Sequence, residues 1–562
     1  MKIYIYLILS IYLSYTLAKE RTEVNQLVTQ EDEIELIFEG DLPKNKVIEL
    51  DEEYIITKIS WTKNGDYKYN YLLGVFEVSN EESFMEGIPI GLILEKEELK
   101  ETNDIKFSSK ISSNYLRYVP PNKNYTDISP IRIYGYKKSL EEDEKTYFQA
   151  TNLPLVLIHT ENDIEPDRNG GDINCTIKII NDGKIETNED AKIKVRGKST
   201  SSSPKKPFRV KFSSKQKILN FKGKEKKWTL IANHYDRSLL RNNLAFQISR
   251  LMEFPFTPRC LPVDVILNGE FRGNYYICDK IEVGKNRINI TKMESTDIDE
   301  PNISGGYLLQ IDSGGWGKRD KKEPIGTFKT LKGLTGKILY PEENHITPEQ
   351  ESYIKNKLNQ FEDEIYNGIL DNIDLDSYSK YFIIEELCGD PDHVWSSYYF
   401  SKDRNDEKIY FGPAWDFDLA FDNDRRLYPT SNKTEFCFNY CDSAGTFRQF
   451  IKALLANRDV IENIQKTWEK LCKTTLNDKI LVDYIEEEKI KLEESSELNF
   501  LKWDHFVQET KPGDKRGRGG NGFGFGRKGE NFEISVEVVK EYIIDRFASL
   551  TRLIDNAVLS AE

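Results

Sequence analysis

Two segments in the second half of the chain carry carboxylates among aromatic and aliphatic residues. They are the first acidic segment, residues 389–400, and the second acidic segment, residues 412–424, and their candidate residues are Asp390, Asp392, Asp416 and Asp418. Carboxylates in apolar surroundings are usually paired or bind a metal, because an isolated charge is costly to bury. The one-residue spacing of Asp416 and Asp418 is typical of oxygen ligands for Mg²⁺. Asp392 is a candidate general base that accepts a proton from an incoming hydroxyl.

A basic segment, residues 195–212, lies in the first half of the chain. It places a Gly/Ser/Thr loop between two predicted strands and carries the basic residues Arg196, Lys205, Lys206, Arg209 and Lys211. Backbone N–H groups, hydroxyls and fixed positive charge favour an anion, and phosphate is the natural one. The loop lacks the spacing of a Walker P-loop. A solvated basic hairpin is the alternative interpretation.

These two features together indicate a class of reaction. A basic clamp and a carboxylate–metal site form the combination that phosphoryl transfer requires. A pair of carboxylates would also serve a glycosidase, but that interpretation leaves the basic segment without a role.

Composition excludes several classes of protein. The chain has 562 residues, a net charge of −15, 38% hydrophobic residues and 31% charged residues. The apolar share is too large for a disordered polyelectrolyte. The acidic balance argues against a nonspecific nucleic-acid-binding protein, which needs a basic surface. Beyond residue 18 the sequence has no run long and apolar enough to predict a membrane span.

The N-terminus predicts entry into the secretory pathway. Residues 1–18 have one basic residue, an apolar run and small residues at the cleavage positions, which is the layout of a signal peptide. An uncleaved membrane anchor is the alternative. Five Asn-x-Ser/Thr sequons suit a glycosylating lumen, at Asn124, Asn174, Asn289, Asn302 and Asn432. We therefore expect a secreted, extracellular or cell-surface glycoprotein without a stable membrane span.

Seven cysteines are too few for a disulfide scaffold. An odd number leaves at least one thiol unpaired or paired to another molecule. Cys437 and Cys441 are close enough in sequence to bridge, but the connectivity stays open.

Hydrophobic periodicity predicts an α+β, bilobal architecture. Residues 19–148 read as a small β-rich accessory domain, 149–300 as a strand-rich lobe with a hinge, and 301–562 as a helical lobe. Asn268-Gly269 predicts a hairpin turn. Within the helical lobe, residues 515–532 form a Gly-rich basic insertion, read either as a flexible loop or as an anion-contacting loop. Predicted helices include 348–366 and 374–387.

Five groups of residues resemble one known family. In chain order they are Arg196–Ser199 with Pro204–Lys211, Asn233–Ser238 with Leu240–Asn242, Leu267–Tyr275, Gly305–Asp312, and Gly412–Asp418. Together they resemble the CotH family, the spore-coat-protein-H-like secreted kinases, which are atypical members of the protein-kinase fold. The resemblance covers roughly residues 153–557 and leaves the N-terminal β-rich domain outside it.

The resemblance implies a Ser/Thr protein kinase that uses ATP with Mg²⁺ or Mn²⁺ and acts on protein substrates. It implies that Asp416 is the main metal ligand, in the place of the familiar DFG element, and that Asp392 is the catalytic base. Lys211 is the first candidate for the lysine that contacts the ATP phosphates, with Arg209 and Lys206 as competitors.

The same resemblance implies further roles near the nucleotide. Arg196 and the loop that contains Ser199 would cover the phosphates, and Asp279 would begin a hinge beside adenine. Family members tend to carry Asn where this chain has Asp390, so Asp390 is either a second acidic ligand or the base itself. The alternative is a catalytically weak CotH-like surface protein that acts as an adhesin or coat component, and a cell-wall or coat partner is expected for the N-terminal domain.

Overall fold

The computed structural model describes residues 34–63, 71–94, 102–121, 128–137, 146–198, 200–312, 324–424, 434–440, 445–503 and 531–560. The predicted signal peptide, Ser199 and most of the Gly-rich insertion lie outside the described residues. None of the helices in these ranges combines the length and the apolar character that a membrane crossing requires.

Internal contacts divide the chain into two compact units. The first consists of Met1–Glu165, Asp172–Lys192 and Asp264–Gly273, and the second of Pro166–Gly171, Ile193–Val263 and Asn274–Glu562. All candidate site residues named above fall in the second unit.

An antiparallel sheet of seven strands forms the N-terminal part of the first unit. The strands are β1 (Glu35–Gly40), β2 (Val47–Lys63), β3 (Val75–Ser79), β4 (Ile88–Leu92), β5 (Thr102–Lys106), β6 (Ser112–Val119) and β7 (Ile128–Lys137). Their order is β1-β7-β2-β6-β3-β4, and β5 pairs with β2. Along β7, buried Ile131 and Ile133 flank exposed Arg132, the alternation expected of a strand with one face on a core.

A buried ionic cluster holds the first unit together. Glu77 on β3 is fully buried, and its carboxylate contacts Nε of Arg117 at 2.7 Å and Nε2 of His159 at 2.5 Å. Burial opposes ionisation of this carboxyl, but the neighbouring charges of His159 and Arg117 outweigh it and lower the pKa of Glu77 to about 2. The cluster therefore joins three strand segments through a charged side chain in the core.

Seven further strands close into a barrel. They are β8 (Leu155–Thr160), β9 (Ile173–Asn181), β10 (Lys184–Val195), β11 (Phe208–Gln216), β12 (Glu225–Ile231), β13 (Cys260–Leu267) and β14 (Glu270–Asp279). Their order is β10-β11-β12-β14-β13-β8-β9. Helix α1 (Arg241–Leu251) lies between β12 and β13 in the chain.

The hairpin predicted at Asn268-Gly269 is confirmed. These two residues link β13 to β14 and have φ angles of 52° and 74°, the positive values that a tight hairpin turn needs. A disulfide joins Cys260 to Cys278 across the same two strands. Cys437 is buried, and the local bridge considered from its spacing to Cys441 involves a residue outside the described ranges, so that pairing stays a prediction.

The rest of the second unit combines helices with a second sheet. The strands are β15 (Tyr307–Asp312), β16 (Thr327–Lys329), β17 (Thr335–Tyr340), β18 (Ser396–Lys402) and β19 (Ile409–Phe411), in the order β16-β17-β15-β18-β19. The helices are α2 (Pro348–Tyr366), α3 (Leu375–Cys388), α4 (Gly445–Leu455), α5 (Arg458–Thr474), α6 (Asp478–Trp503) and α7 (Phe532–Ser560). The α+β class is confirmed. The sequence underestimated the strands after residue 301, because short apolar runs such as β15 have no period that separates strand from buried helix.

Local signals explain where helices α2 and α3 begin and where α3 ends. Thr347 caps α2. Its side chain accepts a hydrogen bond from the N–H of Gln350, and Oε1 of Gln350 accepts one from the N–H of Thr347. Asp374 caps α3 by accepting a hydrogen bond from the N–H of Ser377 at 2.8 Å. Helix α3 ends at Cys388, and the residue after it, Gly389, adopts the left-handed conformation that favours glycine.

Candidate functional site

The first acidic segment begins where α3 ends. The N–H of Asp392 donates a hydrogen bond to Oδ1 of Asp390 at 3.0 Å, and the carbonyl of Asp392 accepts one from the N–H of Trp395 at 2.8 Å. These bonds close a tight turn between α3 and β18. The turn leaves Asp390 buried, with 2% of its surface exposed, and Asp392 half-buried.

The second acidic segment follows β19 and is bonded to the first. The N–H of Phe421 donates to the carbonyl of Cys388 at 2.8 Å, and Oγ of Ser397 donates to Oδ2 of Asp416 at 2.9 Å. Asp416 is exposed and has a φ of 77°, a conformation uncommon outside glycine. Strained backbone of this kind clusters at functional sites, where the surrounding structure imposes it.

The carboxylates of the two segments repel one another. Burial raises the pKa of Asp390 well above its ordinary value, and the charge of Glu385 adds to the effect. The charges of Asp392 and Asp416 act on Asp390 in the same direction. Burial, followed by the charges of Asp416 and Asp392, likewise raises the pKa of Asp418. Negative charge is therefore in excess here, and a bound cation would relieve it.

The donor set fits a divalent cation that is shared with a phosphate ligand. Carboxylate oxygens are the ligands that Mg²⁺ and Mn²⁺ prefer. In the part of the chain that the structure describes, no three acidic, His or Cys side chains are grouped closely enough to hold a metal by themselves. Mg²⁺ at nucleotide sites takes one or two carboxylates and completes its shell with phosphate oxygens and water, so Asp416 and Asp418 meet that requirement in kind and number.

Arg196 brings positive charge to the second acidic segment. Its guanidinium carbon lies 5.5 Å from the ring centroid of Trp415, the residue before Asp416. Burial is the main cause that raises the pKa of Tyr399, and the charges of Asp416 and Arg196 also act on this hydroxyl in opposite directions. Arg196 is thus a cation from the barrel that lies beside the candidate metal ligand.

Lys198 forms an ion pair that the sequence did not predict. Its Nζ contacts Oδ1 of Asp312, the last residue of β15, and Nζ of Lys337 lies 2.8 Å from Oδ2 of the same carboxylate. Burial opposes ionisation of Asp312, but its hydrogen bonds to Lys198 and Lys337 lower its pKa. Asp312 therefore anchors the loop that follows Arg196.

The other basic candidates lie farther along the same segment. Lys205 is buried, and its Nζ donates to Oδ1 of Asn499 at 2.7 Å. Nζ of Lys206 lies 3.5 Å from the carbonyl oxygen of Ser203. Arg209 and Lys211 are half-buried residues of β11 that pair with Thr229 and Lys227 of β12. Among the described residues, no ion pair joins Lys211 to Asp416.

Asp279 lies at the end of β14 with its carboxylate fully buried. Nε and Nη2 of Arg259 each lie 2.7 Å from one of its two oxygens, and Nε of Arg287 lies 3.0 Å from Oδ1. The side chain is therefore occupied by two arginines. The N–H of Asp279 donates to the carbonyl of Arg259 at 3.0 Å, and the hinge contact that the resemblance implied stays a prediction.

Sequence reasoning missed the contacts that Ser397 and the start of α1 make with the second acidic segment. Ser397 lies within the first acidic segment, but nothing in its neighbours marks it, because its contact to Asp416 spans 19 residues. The Asn233–Asn242 region was noticed as part of the resemblance and as the entry to a predicted helix, but not as a partner of the second acidic segment. Its buried polar residues were the available signal, since buried polar groups need partners.

Comparisons with known proteins place these residues in a family. The family model described as CotH kinase protein matches residues 193–550, which is more than half of the chain and includes both acidic segments. Comparison with curated proteins gave no match.

Among solved structures, CBM62 from Clostridium thermocellum Xyl5A matches 15% of this chain at 19% identity, with a TM-score of 0.15. The match spans 62% of the CBM62 chain. This TM-score is too low to carry an argument about fold or function. The extent of the family match, together with the motif residues it contains, shows that the chain belongs to the CotH kinase family.

Proposed function

We propose that the protein is a secreted atypical Ser/Thr protein kinase that transfers the γ-phosphoryl group of ATP to hydroxyls of extracellular, coat or wall proteins. The observation that carries the proposal is the meeting of Arg196 with the Trp415–Asp418 stretch, where carboxylates are in excess. Phosphoryl transfer needs positive charge and carboxylate-bound metal on the same triphosphate.

Asp392 is the proposed catalytic base. Its side chain is half-buried, whereas that of Asp390 is buried and accepts the N–H of Asp392, so Asp392 is the more accessible of the two. As the substrate hydroxyl oxygen bonds to the γ-phosphorus and the bond to the β-phosphate oxygen breaks, the hydroxyl proton passes to the Asp392 carboxylate and ADP leaves.

Asp416 and Asp418 are the proposed metal ligands, and Asp390 is proposed as a further acidic ligand. When bound, Mg²⁺ or Mn²⁺ supplies the charge neutralisation that the β- and γ-phosphates need. Arg196 and the adjoining loop with Ser199 bind the phosphates, and Lys211, Lys206 and Arg209 remain candidates for a further phosphate contact.

The kinase-like bilobal fold and the secretion route belong to the same proposal. The proposed lobes are the strand-rich residues 149–300 and the helical residues 301–562, and the family match covers residues 193–550 of this span. Secretion rests on the signal-peptide pattern of residues 1–18 and on the sequons, of which Asn174, Asn289 and Asn302 are exposed.

A binding-only surface protein of the same family is the second candidate. It is favoured by Asp390, because family members tend to carry Asn there and an extra buried carboxyl adds repulsion to the site. Such a protein would act as an adhesin or coat component.

A phosphorylation assay separates the two candidates. The purified protein is incubated with labelled ATP, Mg²⁺ or Mn²⁺ and casein as a generic acceptor. Asp392→Asn and Asp416→Asn should each lower label transfer by about 100-fold or more, because each removes a group that acts in the transition state.

Asp376→Asn is the matched control, since Asp376 is an exposed aspartate on α3 that should leave transfer unchanged. Label transfer by the parent and the control alone supports the kinase. A nucleotide-dependent rise in melting temperature without transfer would support a protein that binds nucleotide only, and no effect of nucleotide at all would contradict the kinase and favour the adhesin or coat component.

A further inference from the structure

Buried polar side chains cluster just before and at the start of α1, and two of them bond the backbone of the second acidic segment. Four of them have at most 3% of their surface exposed: Asp236, Ser238, Arg241 and Asn242. Polar groups buried to this degree need hydrogen-bond partners. Asp236 and Ser238 bond each other and Arg241, whereas Arg241 and Asn242 also bond residues about 180 positions away in the chain.

Asn242 and Arg241 bond the main chain on the C-terminal side of Asp416. Oδ1 of Asn242 accepts a hydrogen bond from the N–H of Phe417 at 2.8 Å. Nε of Arg241 donates to the carbonyl of Ala420 at 3.1 Å, and Nη2 lies 3.5 Å from the carbonyl oxygen of Phe421. Two adjacent helix residues thus contact both ends of a five-residue stretch.

Asp236 holds Arg241 in place. Its Oδ2 accepts the N–H of Arg241 at 2.9 Å, and its Oδ1 accepts the N–H of Ser238 at 2.9 Å. The Asp236 carboxylate also forms an ion pair with the Arg241 guanidinium. The guanidinium therefore has a fixed position from which it reaches the second acidic segment.

The stretch that these residues contact has an unusual backbone. Asp416, Phe421 and Asp422 have φ angles of 77°, 52° and 58°, all in the left-handed region that non-glycine residues rarely adopt. Such conformations persist only where surrounding contacts impose them. The bonds from Asn242 and Arg241 fall beside these strained positions.

Packing reinforces the same contact. The ring of Phe246 on α1 stacks on that of Trp415, with 5.7 Å between the ring centroids. Nδ2 of Asn423 donates to the carbonyls of Tyr235 and Asp418, at 2.9 Å and 2.6 Å. The segment around Asp416 and Asp418 is therefore held from α1 and from the residues that precede it.

We propose that Asn242 and Arg241 are positioning residues that hold the Asp416–Phe421 backbone in the conformation that presents the Asp416 and Asp418 carboxylates to a metal–nucleotide complex. This inference rests on the proposed function, in which these two aspartates hold the metal. Neighbours of metal-ligating carboxylates fix their orientation, and loss of such a neighbour lowers metal affinity by about 10–100-fold.

The test compares Asn242→Leu with Asn243→Leu in the purified protein. Both asparagines lie on α1, and each has 3% of its surface exposed. Asn243, unlike Asn242, bonds α6: its Nδ2 donates to Tyr484 and Glu488. The two variants remove the same chemical group at adjacent positions, and only one of them removes the bond to Phe417.

Two readouts are taken from each variant. The first is amide hydrogen exchange of the peptide 414–424 without ligand. The second is the Mn²⁺ concentration for half-saturation in the presence of a non-hydrolysable ATP analogue, measured by electron paramagnetic resonance. Asn242→Leu should accelerate exchange and raise the Mn²⁺ half-saturation by about tenfold or more. Asn243→Leu should leave both within about twofold of the parent.

Unchanged exchange in Asn242→Leu, unchanged Mn²⁺ half-saturation, or equal effects of the two variants would each overturn the inference. If the parent itself does not bind Mn²⁺ with the nucleotide analogue, the proposed function fails and the positioning role fails with it, whatever the exchange data show. Should Asn242→Leu not fold, Asn242→Ala is measured by the same two readouts, because it removes the acceptor without adding bulk.

Discussion

Ser397 and Asp416 show what a single side chain contributes to the site. Oγ of Ser397 donates to the Asp416 carboxylate at 2.9 Å, and the serine itself is held with a φ of 61°. Because this bond fixes one oxygen of the main proposed metal ligand, Ser397→Ala should raise the Mn²⁺ concentration for half-maximal activity by about tenfold. The measurement is a metal titration of label transfer at saturating ATP.

Ser401 provides the control at the same scale. It lies on the same strand, β18, and has the same exposed fraction of 8% as Ser397. Ser401→Ala should leave the metal titration within about twofold of the parent. Equal shifts for the two serines would mean that the strand as a whole, and not the bond to Asp416, sets the metal requirement.

At the scale of an element, the buried ion pair at the start of α1 contributes to the stability of the fold. Arg241 and Asp236 are each 1% exposed, and Arg241 also donates to the Ala420 carbonyl. Arg241→Leu leaves the Asp236 carboxylate buried without its cation, so the free energy of unfolding should fall by about 3–5 kcal/mol in urea titrations. Arg250→Leu, at the exposed end of the same helix, should change it by about 0.5 kcal/mol or less. Similar losses for both would contradict the buried pair as the cause.

At the scale of the whole molecule, the buried cluster of the first unit makes stability depend on pH. The pKa of Glu77 is lowered from 4.5 to about 2, so its contribution is complete above pH 4.5 and is lost as the pH falls toward 2. The contribution amounts to about 3 kcal/mol. In Glu77→Gln, melting temperature should be lower at pH 7 and should vary less between pH 4.5 and 2.

Glu39→Gln is the matched control for Glu77→Gln. Glu39 also pairs with an arginine, Arg132, at 2.7 Å, but both side chains are about half exposed. Surface ion pairs contribute about 1 kcal/mol or less to the free energy of unfolding, so the melting temperature of Glu39→Gln should depend on pH as that of the parent does. An unaltered acid profile in Glu77→Gln would show that other carboxyls govern acid unfolding.

Local signals in the sequence were enough to predict several elements and the family. Helix α2 spans Pro348–Tyr366 as predicted, because its capping box, its proline and its apolar period act within the helix. The Asn268-Gly269 turn and the end of α3 before Gly389 depend likewise on the backbone preferences of one or two residues. The family motifs are also short runs of sequence, so the CotH assignment needed no structure.

The tertiary structure alone decided which of the motif residues meet. In the folded chain Arg196 contacts Trp415, and Asp390 is buried. Cys260 pairs with Cys278, and the Asp279 carboxylate forms ion pairs with Arg259 and Arg287. Contacts of this kind join residues that are distant in the chain, and several residues of the same type compete for each. Spacing cannot separate those competitors, because burial and the geometry of hydrogen bonds select among them only after the elements have packed.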